Sequence, residues 1–174
     1  MKATDRTGLT GYGVAILRGP DGEIKDVRTF QNLVTDKGDL YIAQKIIAAI
    51  DPANAAAPTE VTGMKLGTGT TAASKAGSGA ALVTYISGSQ KLFTTAYPTT
   101  EDLGSGLGVC AVYNCTWAAG VATASITEAV IVNDASTNAT STAANTIARA
   151  TFTAVAKGAS DTFEITWKHK VLGA

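Results

Sequence analysis

Beyond residue 60 the apolar residues of this chain recur at every second position, and that period decides most of what it can become. The clearest case is TFEITWKHKV (162–171), where Phe163, Ile165, Trp167, His169 and Val171 alternate with Glu164, Thr166, Lys168 and Lys170. Successive side chains of a strand point to opposite faces, so the first set is expected to line a core and the second to meet water. LGVCAVYNCTW (107–117) places Val109, Ala111, Tyr113, Cys115 and Trp117 on one face. TIARATFTAVA (146–156) does the same with Ala148, Ala150, Phe152, Ala154 and Ala156, and KGASD (157–161) then turns the chain into the last strand. Shorter strand candidates are VTGMKL (61–66), ALVTYIS (81–87), QKLFTT (90–95) and ATASITEAVIVN (122–133).

The first third of the chain reads differently. Residues 1–10 are polar and lack periodicity, which suggests a flexible arm ahead of a single domain spanning 11–174. GYGVAILRG (11–19) and EIKDVRTF (23–30) flank Pro20-Asp21-Gly22, a strong turn signal, and together form a hairpin. Ile24 and Val27 fall out of phase in its second arm. One helix is expected near 36–50, with Leu40, Ala43, Ile46, Ile47 and Ile50 as an apolar stripe, Thr35 or Asp36 as its cap and Asp51-Pro52 as its stop. PANAAAP (52–58) then reads as a loop. With no helix between the later strands, a parallel sheet is excluded. The expected fold is mainly β, an antiparallel sandwich of the jelly-roll-like or Ig-like kind, with this one helix.

Charge narrows the function. Lys plus Arg and Asp plus Glu are 14 each, and charged residues are 16% of the chain, against about 25% in an ordinary soluble domain. From Leu92 to Ala148, a run of 57 residues, there is no Lys or Arg. Nucleic-acid binding, which rests on clustered cations, is not expected. A weakly charged exterior rich in Ala, Gly, Thr and Ser suits a protein whose surface is claimed by partners in an assembly. No apolar run is long enough to span a bilayer, and MKATDRTGLTGYG has no signal-peptide core, so synthesis in the cytoplasm and no membrane partner are expected.

Several residues invite a chemical reading. Gly67-Thr68-Gly69-Thr70-Thr71-Ala72 has the spacing of a dinucleotide-binding turn with alanine at the third glycine position. The helix such a turn needs is missing, because Gly77 and Gly79 interrupt the sequel, each costing about 1 kcal/mol relative to alanine. No acid stands between Glu60 and Glu101 to take the ribose, so no cofactor is expected and the turn reads as a loop between strands. His169, the one histidine, lies on an apolar strand face and reads as packed or at an interface. Cys110 and Cys115 are five apart, so on one strand they point to opposite faces and stay free thiols, with no metal-binding spacing. Glu101-Asp102 reads as a solvated turn. Asn114-Cys115-Thr116 and Asn138-Ala139-Thr140 match a glycosylation pattern that means nothing without secretion. Trp117 and Trp167 would form an aromatic platform in a carbohydrate-binding module, but their apolar neighbours favour the core. No catalytic constellation is present, so no enzyme activity is expected.

NLVTDKGDLYIA (32–43), MKLGTGTTAASK (64–75), ITEAVIVN (126–133) and IARATFTAVAKGASDTFEITWKHKV (147–171) carry a resemblance. Their order and spacing resemble small virion structural proteins of tailed double-stranded DNA bacteriophages. Members of that group serve variously as capsid decoration (cement) proteins, head or tail fibre components and minor tail proteins. The resemblance implies a virion part without enzymatic activity whose partners are the major capsid protein or other virion proteins. A compact domain with a polar arm fits a decoration protein that binds the assembled shell, as a homotrimer; a tail, baseplate or head-fibre component is the alternative, and a receptor-recognising carbohydrate module a further one. Lys2, Asp5 and Arg6 on the arm, and Arg18, Lys25 and Arg28 on the first hairpin, are the expected docking residues.

Overall fold

The computed structural model describes residues 9–47, 59–105, 107–135 and 140–171. Strands β1 (Thr10–Arg18) and β2 (Ile24–Val34) form the expected hairpin. Gly22 closes its turn at φ +86°, a conformation open to glycine at no steric cost, and its N–H donates to Gly19 O at 3.0 Å. Thr10 already belongs to β1, while residues 1–8 of the expected arm lie outside the described residues.

Helix α1 (Asp36–Ile47) follows. Thr35 caps it: Thr35 Oγ1 accepts from Gly38 N at 3.0 Å and donates to Thr146 O at 2.6 Å. Asp36 and Asp39 in the first turn and Lys45 in the last suit the helix dipole. The expected apolar stripe does not face the sheet as a unit. The helix meets the sheet through its first turns, where a Cβ on Gly38 would lie 2.1 Å from Ile147 O, and through Tyr41, which packs on the core. Ala43 is exposed and Ile46 is 79% exposed. Residues 48–50 and the loop expected over 52–58 lie outside the described residues.

The remaining strands are β3 (Gly63–Gly67), β4 (Lys91–Leu92), β5 (Thr99–Asp102), β6 (Val109–Trp117), β7 (Ala124–Val132), β8 (Thr146–Lys157) and β9 (Thr162–Val171). All nine form one antiparallel sheet in the order β4-β3-β7-β8-β2-β1-β9-β6-β5. The sheet curls until its ends meet. Phe93 N donates to Thr62 O beside β3 at 3.1 Å, and Thr94 N donates to Asn114 O on β6 at 2.9 Å. One core cluster draws residues from both ends of the curled sheet, while backbone pairing runs unbroken through β2, β1 and β9.

That core holds Trp117, Trp167, Phe163, Ile165, Met64, Leu66, Ile126 and Ile131, all fully buried. The Phe30 ring meets Trp167 edge-on at 5.0 Å and stacks on Phe152 at 5.4 Å. β9 keeps its predicted alternation from Phe163 to His169, and only Val171 at its end is exposed.

Three strand readings change. ALVTYIS forms no strand, only a bridge between Tyr85 and Gly67, because its residues serve as a cover for the sheet. β5 runs through the Glu101-Asp102 segment expected to be a turn, pairing with β6 along Val109–Val112. β8 does not hold one face: its register against β7 shifts between the Ile126↔Val155 and Glu128↔Thr151 pairs. This bulge turns Val155 and Lys157 inward and leaves Ala154 and Ala156 exposed.

β7 departs from period two for a different reason. Glu128 through Val132 are all buried. Ala129 and Ile131 face the main core, while Val130 and Val132 meet Leu82, Tyr85 and Ala135 of a second cluster on the outside of the sheet. A strand covered on both faces reads as a continuous apolar run.

Candidate functional site

The glycine turn is built around a carboxylate of the chain itself. Gly67 pairs with Glu128, and the loop after it folds back over β7. Glu128 Oε1 accepts from Gly69 N at 2.8 Å, Thr84 N at 2.9 Å and Val83 N at 3.1 Å. Glu128 Oε2 accepts from Arg149 Nη2 at 2.7 Å and Nε at 3.1 Å. Arg149 then donates to Thr71 O at 2.8 Å and Gly79 O at 3.1 Å. Both charged side chains are fully buried. The glycines are needed for close approach: a Cβ on Gly67 would lie 2.4 Å from Glu128 Oε1, and one on Gly69 2.5 Å from it. The arrangement is an anion cradle, as the sequence spacing hints, and Glu128 occupies the anion's place.

A second buried pair ties down the neighbouring loop. Lys65 Nζ donates to Asp134 Oδ1 at 2.7 Å and to Thr140 O at 2.6 Å, and Asn145 Nδ2 donates to Asp134 Oδ2 at 3.0 Å. Sequence reasoning missed both pairs. One signal was there: Glu128 is the one acid within the strands read in the cation-free stretch, and Arg149 is the cation that ends it.

Of the other chemically suggestive residues, His169, Cys110, Cys115, Asn114, Trp117 and Trp167 are buried. His169 packs edge-on against the Tyr113 ring at 5.3 Å and near Trp167 at 6.3 Å, its Nε2 is buried without a partner, and burial pushes its pKa down to about 4. Cys115 faces the core, where burial pushes its thiol up to about 12; Cys110 faces the opposite side beneath the Tyr12 hydroxyl at 3.9 Å, and both thiols are free. Trp117 donates to Ser89 O at 2.7 Å and Trp167 to Asn32 Oδ1 at 2.9 Å, so neither indole can form an exposed platform. Glu101 pairs with Lys168 at 2.5 Å. Asn114 is spent on Glu164 and Thr166, and Asn138 lies outside the described residues. Among the described residues no group of His, Cys, Asp and Glu could hold a metal ion, and no helix is long and apolar enough to cross a membrane.

Of the expected docking residues, the structure describes the three on the hairpin. Lys2, Asp5 and Arg6 lie outside the described residues. Arg18 Nη1 donates to the turn carbonyl of Gly22 at 3.3 Å. Lys25 pairs with Asp161 at 3.0 Å, which together with the Gly158 N–H holds that carboxyl below its ordinary range. Arg28 pairs with Asp26 on the opposite phase of the sheet, facing the Ala15 and Leu17 side. Outward, the hairpin presents an apolar strip bordered by Thr29, Gln31 and Arg18. Tyr12, Val14 and Ile16 of β1 lie beside Val27 and Ile24 of β2, with Tyr12 38%, Val27 45% and Ile24 55% exposed. The sequence left two traces of this face, the alternation of Tyr12, Val14 and Ile16 and the out-of-phase Ile24 and Val27.

Compared with protein-family models, with curated proteins and with solved structures, the chain matches none.

Proposed function

We propose that this chain is a virion structural protein of a tailed bacteriophage, a decoration protein that binds the assembled head and stabilises it. One observation carries the reading. The segments that resemble phage structural proteins lie far apart in sequence, yet three of them form one folding unit: the turn of 64–75 cradles Glu128 from 126–133, which pairs with Arg149 from 147–171. Glu128 and Arg149 are engaged with each other and with the loop, which supports a structural role for these segments. A structural unit of this kind offers its exterior to neighbours, and binding only the assembled state stabilises that state by mass action. Repetition across a lattice turns weak single contacts into persistent attachment.

The test is the copy number of the chain in virions produced from the genome that encodes it, by quantitative mass spectrometry with labelling in electron cryo-microscopy. A number that scales with the capsid subunits supports decoration. A small fixed number at one vertex moves the chain to the tail or baseplate. Virions that lack it overturn the reading.

A further inference from the structure

We propose that the outward face of the β1–β2 hairpin binds the same face of a second copy, as a two-fold dimer. The face is an apolar strip on β1, Tyr12, Val14 and Ile16, widened by Val27 on β2, with Thr29 and Gln31 opposite Val14 and Tyr12 and with Arg18 and Ile24 at one end. Exposed strips of large apolar residues mark interaction sites. The free edges of the sheet are poor alternatives. β4 has two residues, and β5 carries Glu101 and Asp102 behind Pro98, features that blunt edge pairing.

Charge identifies the partner. β9 runs beside β1 with Ile16 opposite Glu164, Val14 opposite Thr166 and Tyr12 opposite Lys168. The acid and the base therefore stand on the same outward face, equally far to either side of the Val14–Thr166 pair. A two-fold axis lying in that face, across the strands at Val14, sets Glu164 of each copy over Lys168 of the other. It also sets Val14 on Val14 and Ile16 on Tyr12. An axis along the strands would instead press both charges onto Val27 and Gln31. A closed two-fold contact uses one patch twice, so the patch must complement itself, and this one does. Glu164 accepts from Asn114 Nδ2 at 2.8 Å and Lys168 pairs with Glu101, so both are held in place for the contact without being buried.

The inference does not depend on a virion location, and it differs from the trimer expected on sequence. Sedimentation velocity or light scattering on the full chain, across its accessible concentration range, should give twice the 17.7 kDa chain mass. Glu164→Lys alone leaves only cations at the two facing positions, and Lys168→Glu alone leaves only anions. Each variant should be a folded monomer by circular dichroism, since like charges facing across an interface are strongly unfavourable. Mixing the two variants should restore a dimer that contains one of each. A wild-type monomer or trimer overturns the proposal. So does a dimer that survives both reversals, or a mixture that stays monomeric.

Discussion

Arg149 Nη2 lies 2.7 Å from Glu128 Oε2 with both side chains out of reach of solvent, and the two come from adjacent strands. Removing one partner of a buried pair leaves an uncompensated charge, at a penalty of about 3–5 kcal/mol. Glu128→Ala and Arg149→Ala should each lose that much in urea unfolding. The double variant should lose clearly less than the sum, because the two share one interaction. It should not recover fully, since Gly69, Val83 and Thr84 would still lack the acceptor for their N–H groups. Additive losses would mean that the pair does not hold the loop.

The cradle should tolerate no side chain and no second anion. Gly69→Ala forces a methyl against Glu128 Oε1 and Val83, and should cost about 1–3 kcal/mol. Thr70→Ala, at the exposed neighbouring position, should stay within about 0.5 kcal/mol of wild type. Adding a dinucleotide should leave the melting temperature unchanged. A ligand-dependent rise would mean that the turn accepts phosphate after all.

His169 should make the fold acid-sensitive in a defined window. Burial lowers its pKa from 6.5 to about 4, so the unfolded chain takes up the proton first. Its contribution is complete above pH 6.5 and is lost as pH falls towards 4, about 3 kcal/mol in all. His169→Phe, which keeps the ring against Tyr113 and Trp167, should lose that much less stability between pH 7 and 4 than wild type. Parallel stability curves for the two proteins would contradict the burial argument.

Both thiols should be silent in the native state. Cys110 and Cys115 are fully buried, and burial keeps the Cys115 thiol protonated. A thiol reagent such as DTNB should react with neither in native protein and with both in guanidinium. Rapid native labelling of Cys115 would show that the core around β6 opens.

Much of the fold is legible from local pattern. Phe163, Ile165, Trp167 and His169 are buried as their spacing predicts, because a strand covered on one face must alternate. Thr35 caps its helix because a hydroxyl at that position meets the free N–H of Gly38. ALVTYIS misleads because Leu82 and Tyr85 serve as a cover over Val130 and Val132, and a cover needs no strand pairing. The β8 alternation fails at a bulge that only its pairing with β7 creates. That Lys25 meets Asp161 is not legible in the sequence, because the two stand 136 positions apart.

By itself the sequence determined the period of its strands, the hairpin turn at Gly22 and the helix start at Thr35, since each follows from a residue and its close neighbours, and its composition determined the zero net charge and the low share of charged residues. Only the tertiary structure decided that the sheet closes through Phe93 and Thr94, that Glu128 fills the glycine turn and that Tyr12, Val14, Ile16, Val27 and Ile24 share one open face. The first two relations join residues tens of positions apart, and the third depends on which elements pack over the hairpin; a local pattern has no means of stating either.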